Sequence, residues 1–285
     1  MIRNLTPLTL LSVLGVILTP NAVSDEPAVV RLQHGFSGVC EACDLSDRNF
    51  SSAHLSGGRF PRSDFRRTIL QDVIASGAVF KDADFTGAVL SRAMLASADF
   101  TNTRFIGATM NEIEGSGASF KGADLSGANL YGAVLVGADF SQAMLMNASM
   151  SDVRLTGARL HQTKAISVQM EDADLSGATL TEADFTGADL SGSFFTGAVL
   201  TDANFVGAEL NSTDFSSTRL EGADFTGAFG LSSANFMGAC GDANTRFPDT
   251  VQIESCEVDA EMAVGGPEME FVEDSDDFIE LPESN

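Results

Sequence analysis

Four cysteines frame the middle of the chain. Cys40 and Cys43 lie in CEACDLS (40–46), and Cys240 and Cys256 in ACGDANTRFPDTVQIESCEV (239–258). A CxxC pair suits a metal site or thiol–disulfide exchange, because two soft ligands lie within reach of one another. A metal needs further ligands, and no second pair lies at ribbon spacing. The three histidines, His34, His54 and His161, are scattered. Buried thiols or one local disulfide capping the core therefore fit Cys40 and Cys43 better than redox catalysis. Carboxylates are plentiful, with 40 Asp and Glu, but they are spread along the chain. There is no Gly-rich phosphate loop, no histidine cluster and no Ser–His–Asp set in a supporting context. The reading is of no catalytic residue, no metal site and no cofactor.

The elements that would position any site follow from a repeat of five. ADLSGANLYGAVLVGADF (123–140) places Leu125, Leu130, Leu135 and Phe140 five apart, each with alanine two positions earlier. From Leu45 to Gly230 there are 38 positions numbered by a multiple of five, and 34 hold Leu, Phe or Met; the exceptions are Ala75, Gly115, Ala165 and Gly230. Helices need a period near 3.6 and strands a period of 2, so neither accounts for one register kept this long. A solenoid does. One large and one small side chain per unit point inward, and Ala is the small one because two large residues would overfill a narrow core. Gly and Ser recur where the chain must turn, as in Ser126-Gly127 and Thr186-Gly187.

Tandem A[D/N][L/F]xx units, such as ADLSG (123–127 and 188–192), ANLYG (128–132) and ADFTG (83–87 and 183–187), resemble the pentapeptide-repeat family. The resemblance covers about residues 40–241. It implies an all-β fold, a right-handed quadrilateral β-helix of 20-residue coils. About nine coils at roughly 4.8 Å each would make a rod of roughly 45 Å. Phe60, Phe80, Phe100, Phe120 and Phe140 should then stack on one face, and Phe65, Phe85 and Phe105 on the next.

The pattern frays in four places. Gly115 and Ala165 are small centres beside Ile113 and Val168, Val73 stands beside Ala75, and GLSSANF (230–236) moves the register by one so that Phe236 takes the place of 235. Size compensation by the larger inward neighbour explains these better than binding clefts do. Cysteine pairs like Cys40 and Cys43 often precede the first coils in the resembled family, and similar Cys-to-Cys tails close some of its exported members. A Cys240–Cys256 disulfide would cover the open rim of the last coil. Its loop of about 17 residues is worth on the order of 3 kcal/mol.

The first 24 residues read as a secretory signal. Arg3 precedes the apolar run LTPLTLLSVLGVIL (5–18), and Ala22-Val23-Ser24 offers small residues for cleavage before Asp25. The run is short for a bilayer and contains Pro7, so no membrane span is expected after cleavage. The expected organisation is a signal peptide (1–24), a lead-in (25–39), the β-helix (40–241), a capping loop (242–256) and an acidic tail read as disordered (257–285). The tail holds eleven acidic residues and no basic one. The expected location is periplasmic or extracellular.

The net charge of −24 repels nucleic acid at long range, so no nucleic-acid partner is expected. Asp44, Asp64, Asp84, Asp124, Asp184 and Asp224 share one column of the repeat and would form an acidic stripe. Departures from the repeat carry more information. Ile69, Ile74, Val79, Val89 and Met94 take outward places where Asp or Asn is usual, and form an apolar patch over two adjacent faces. Beside it lie Arg48, Arg59, Arg62, Arg66 and Arg67. Such a patch with a charged rim suits a protein contact. The reading is a non-catalytic exported scaffold with a protein partner, or a homodimer formed through an end or this side patch. The alternative is an acidic DNA mimic that inhibits a type II topoisomerase (gyrase) and protects it from quinolones, as in some members of the resembled family. The signal peptide speaks against that alternative.

Overall fold

The computed structural model describes residues 36–248 and 251–256. The expected signal peptide, most of the lead-in and the acidic tail lie outside these residues. Within them the chain winds as a parallel β-helix. The residue before each centre bridges its counterpart 20 positions on, in four ladders that begin at Val39–Arg59, Asp44–Asp64, Asn49–Ile69 and His54–Ile74. These are called the first to fourth ladders. Each centre N–H donates to the next coil, as from Phe65 to the Asp84 carbonyl at 2.7 Å, and Asp84 donates back to Ser63 at 3.0 Å. A turn closes every unit, with the Ala83 N–H donating to the Phe80 carbonyl at 3.0 Å.

Every turn from Glu41-Ala42 to Thr226-Gly227 puts one residue in the left-handed region. Glycine meets that demand at Gly127 (φ 65°), but Arg62, Arg67 and Arg92 adopt it too, at 54° to 57°. The cost is about 1–2 kcal/mol for a side chain with a Cβ, so the cross-coil hydrogen bonds must hold these residues in place.

The core is a column of large side chains packed against alanines. Phe60, Phe80, Phe100, Phe120 and Phe140 stack with centroids 4.8–5.3 Å apart. Phe65, Phe85 and Phe105 stack beside them at 4.5 and 5.1 Å. Beyond Phe140 the centres are aliphatic until Phe185, where a second pair of stacks begins: Phe185–Phe205–Phe225 and Phe195–Phe215–Phe236.

Where alanine is replaced by Ser or Thr, the buried hydroxyl is satisfied. Thr68, Thr103, Thr163 and Thr213 donate to the centre carbonyl one coil back, at 2.8–3.0 Å. At the frayed units Val73, Ile113 and Val168 are buried inward, as compensation requires. At Gly115 the next coil also contributes: a Cβ there would lie 2.9 Å from Leu135 Cδ2, so the leucine occupies the space.

Both ends are closed. Phe36 stacks on Phe60 at 5.0 Å, and its N–H donates to the His54 carbonyl at 2.8 Å. Cys40 and Cys43 form a disulfide; Cys40 is buried, but Cys43 is only half-buried although the repeat would place both inward. At the other end Cys240 is bonded to Cys256. Strand β1 (Cys240–Gly241) pairs in parallel with β2 (Glu254–Ser255). The coil pattern runs past 241, because Arg246 bridges Asp224 and Phe247 stacks on Phe225 at 4.5 Å.

Candidate interaction surface

The outward residue before each centre builds the turn that follows it. In Asp44, Asp64, Asp84, Asp124, Asp184 and Asp224, Oδ1 accepts the backbone N–H two residues on at 2.9–3.1 Å. This is an Asx turn, and it explains why Asp and Asn recur there without any ligand. Their column is not a continuous acidic stripe. Arg104, Met144, Lys164 and Asn204 interrupt it, and this corrects the expectation from spacing.

Where Asp or Asn is missing, the surface changes character. Ile69 and Val89 are paired in the third ladder, and Ile74 and Met94 in the fourth. The four form a two-by-two apolar array around one corner of the rod. Met94 is 43% exposed and the other three are half-buried. Val79 lies on a third face, in the first ladder, directly paired with Arg59, so the five residues wrap around the rod and do not share two faces. At the corner inside the array stands an ion pair that spacing did not reveal, Arg92 to Asp72 at 2.9 Å.

The arginines expected beside the array are exposed and mostly paired, and one of them, Arg62, stands in the turn between the first and second ladders, at the corner opposite the array. Arg62 pairs with Glu41, Arg66 with Asp64 at 2.5 Å and Arg67 with Asp47 at 2.5 Å. The Arg66 guanidinium holds the Asp64 carboxyl below its usual range, and Arg67 does the same for Asp47. Arg48 and Arg59 belong to none of the ion pairs among the described residues. Arg48 is tied to the array through its backbone, since its carbonyl accepts the Ile69 N–H at 2.8 Å.

Three exposed apolar side chains near the other end escaped notice in the sequence. Phe194 (48% exposed) and Phe229 (64%) stand where Asp or Asn is usual, and Met237 (76%) sits in a turn. The doublets SFF (193–195) and AFG (228–230) were the available signal, because each puts a phenylalanine one place before a centre. Charge is also unequal along the rod. Residues 36–121 carry nine Arg and Lys against ten Asp and Glu, whereas residues 122–256 carry five against 17.

Among the described residues no group of three or more His, Cys, Asp or Glu is placed to hold a metal ion, and no helix is long and apolar enough to cross a membrane. The class these features define is a β-helical repeat protein. Pentapeptide repeats match in eight copies, over residues 43–82, 76–111, 116–152, 154–192, 180–216, 193–229 and 203–240, and the chain belongs to that family. No curated protein matches it. Among solved structures it is similar to HetL, a pentapeptide repeat protein involved in heterocyst differentiation regulation from the cyanobacterium Nostoc, at 29% identity over 72% of this chain and 91% of that one, TM-score 0.41. It is similar to QnrB1, a plasmid-mediated fluoroquinolone resistance protein, at 20% identity over 71% and 91%, TM-score 0.30. A pentapeptide repeat protein from the thylakoid lumen of Arabidopsis thaliana is 38% identical over 38% of this chain and 68% of that one, TM-score 0.21.

Proposed function

We propose that this chain is a non-catalytic, exported scaffold, a right-handed quadrilateral β-helix that binds a protein partner through the Ile69–Val89 and Ile74–Met94 array. One observation carries the reading. Four neighbouring outward positions give up the turn-forming Asp or Asn for large apolar residues around the exposed Arg92–Asp72 pair, and protein interfaces combine apolar area with arginine in this way. Disulfides at both ends agree with a periplasmic or extracellular location, since such bonds persist in oxidising compartments. The outward carboxylates serve turns and ion pairs, so no residue is assigned a catalytic role.

The topoisomerase-inhibitor reading draws support from the acidic half, residues 122–256. It requires a cytoplasmic location and a surface free of the arginine cluster. Cell fractionation combined with intact mass measurement separates the two readings. Export predicts a product beginning at Asp25 outside the cytoplasm, with all four cysteines oxidised. Full-length reduced protein in the cytoplasm, inhibiting supercoiling by purified gyrase, would overturn it.

A further inference from the structure

The chain continues for 29 residues beyond Cys256, and they hold eleven carboxylates and no cation. Within them EMEFVEDSDDFIELPE (268–283) sets Phe271, Phe278, Ile279 and Leu281 among acids. A segment of this chemistry needs a surface that offers cations and apolar area together. Residues 122–256, with five cations against 17 acids, repel it. The first coils offer both. Arg48 borders Ile69 through its backbone, Arg59 lies on the face next to Ile74, and neither has an acidic partner among the described residues.

The path decides whether the segment meets its own rod or another. Cys240, which holds Cys256, lies in the first ladder eight steps from Val79. At roughly 4.8 Å per step that is about 38 Å. The 22 residues from Cys256 to Phe278 carry nine carboxylates, and to reach their own array they must run that far along the acidic half of the rod, which repels them. A second copy placed end to end does not demand that path.

We propose that residues 268–283 of one copy dock on the arginine-rimmed array of a second copy, head to tail. The inference rests on the reading of this array as an interaction surface, and names its occupant. The contact joins different surfaces of the two copies, so repeating it gives a ring where the rotation closes and an open chain where it does not.

The test uses the full chain with Phe278 replaced by the photoreactive analogue benzoylphenylalanine, mixed with an equal amount of ¹⁵N-labelled full chain and irradiated. The expected products are mixed-isotope cross-links from position 278 to residues 59–94. Arg48→Glu with Arg59→Glu should reduce them about tenfold, while Arg48→Lys with Arg59→Lys keeps most of the yield. Circular dichroism verifies that both variants are folded. Cross-links confined to one isotope, cross-links to residues 122–256, or a yield unmoved by charge reversal would each overturn the proposal. If cross-linking fails while Ile74→Asp with Met94→Asp still abolishes capture of a foreign partner, the tail docking is wrong and the interaction surface stands.

Discussion

Phe225 and Phe247 lie with ring centroids 4.5 Å apart and planes 8° from parallel, although 22 residues separate them where most of the rod takes 20. Two extra residues are accommodated in between. One falls before Asn235, which pairs with Asp214; the other falls before Arg246, in the turn that Asp242 closes by accepting the N–H groups of Asn244 and Thr245, both at 3.0 Å. The stack outlasts the register because the loops bulge outward while the rings stay in the core. Phe225→Ala should therefore cost about 3–5 kcal/mol and Phe247→Ala, at the half-buried end, less, measured as the shift in urea unfolding.

The buried hydroxyl of Thr163 makes a subtler prediction. It donates to the Phe140 carbonyl at 2.8 Å, and that carbonyl also accepts the Ala143 N–H at 2.9 Å. Thr163→Val removes one bond without orphaning the acceptor. The loss should be about 1 kcal/mol in the same unfolding measurement, well short of the penalty for a buried group left unpaired.

Gly127 has φ 65°, and an added Cβ would meet no atom within 4 Å. Any penalty there is conformational and not steric. Gly127→Val should cost about 1–2 kcal/mol, whereas Gly127→Asn should cost much less, because Asn tolerates the left-handed region. Thermal unfolding of the two variants side by side reads the difference.

Reduction should loosen the C-terminal end first. The Cys240–Cys256 bond closes a loop of sequence separation 16 and holds β2 against β1. Cys240→Ser with Cys256→Ser should cost on the order of 3 kcal/mol. Hydrogen exchange should show amide protection lost around Arg246 and Phe247 before it is lost around Phe140.

Acid acts through the turn carboxylates. Burial pushes Asp174 and Asp214 upward, but hydrogen bonds from Ser176 and Thr156, and from Ser216, Thr196 and Asn235, outweigh it and leave both below the usual aspartate value. A carboxyl depressed in the folded state contributes stability above its unfolded pKa of about 3.9, and the contribution is lost as pH falls through the folded value. Unfolding midpoints should therefore drop below about pH 4. Asp174→Asn with Asp214→Asn keeps the Oδ1 acceptors and should flatten that drop. Relief of repulsion in a chain of net charge −24 works the other way, so the comparison of variant with parent isolates the effect.

The repeat made the coil legible, because one register of Leu and Phe fixes which side chains point inward. The first set of phenylalanine stacks followed directly from positions 20 apart. Other features lacked such a signal. The slip before Arg246 falls where no large centre marks the frame. The Arg92–Asp72 pair joins residues 20 apart in turns, which the five-residue pattern treats as free. Alternation among the turns has a period of ten and was hidden by the stronger period of five. From Ser76-Gly77 to Thr226-Gly227 every second turn carries no charge, while those between, such as Lys81-Asp82 and Glu171-Asp172, hold most of the turn charges. For the candidate surface, the sequence named the apolar residues and the arginines but not their placement. Val79 moved to a third face, and Phe194, Phe229 and Met237 emerged only when their exposure was seen.

The central claim, that the array around Ile74 and Met94 is a protein-contact surface, is tested most directly by comparing the parent chain with Ile69→Asp, Ile74→Asp and Met94→Asp combined. The measurement is molar mass by light scattering, together with the proteins each form captures from periplasm or medium. Loss of the parent's assembly or of its captured partner, with the circular dichroism spectrum preserved, is the predicted result. An unchanged mass and an unchanged set of captured proteins would contradict the account.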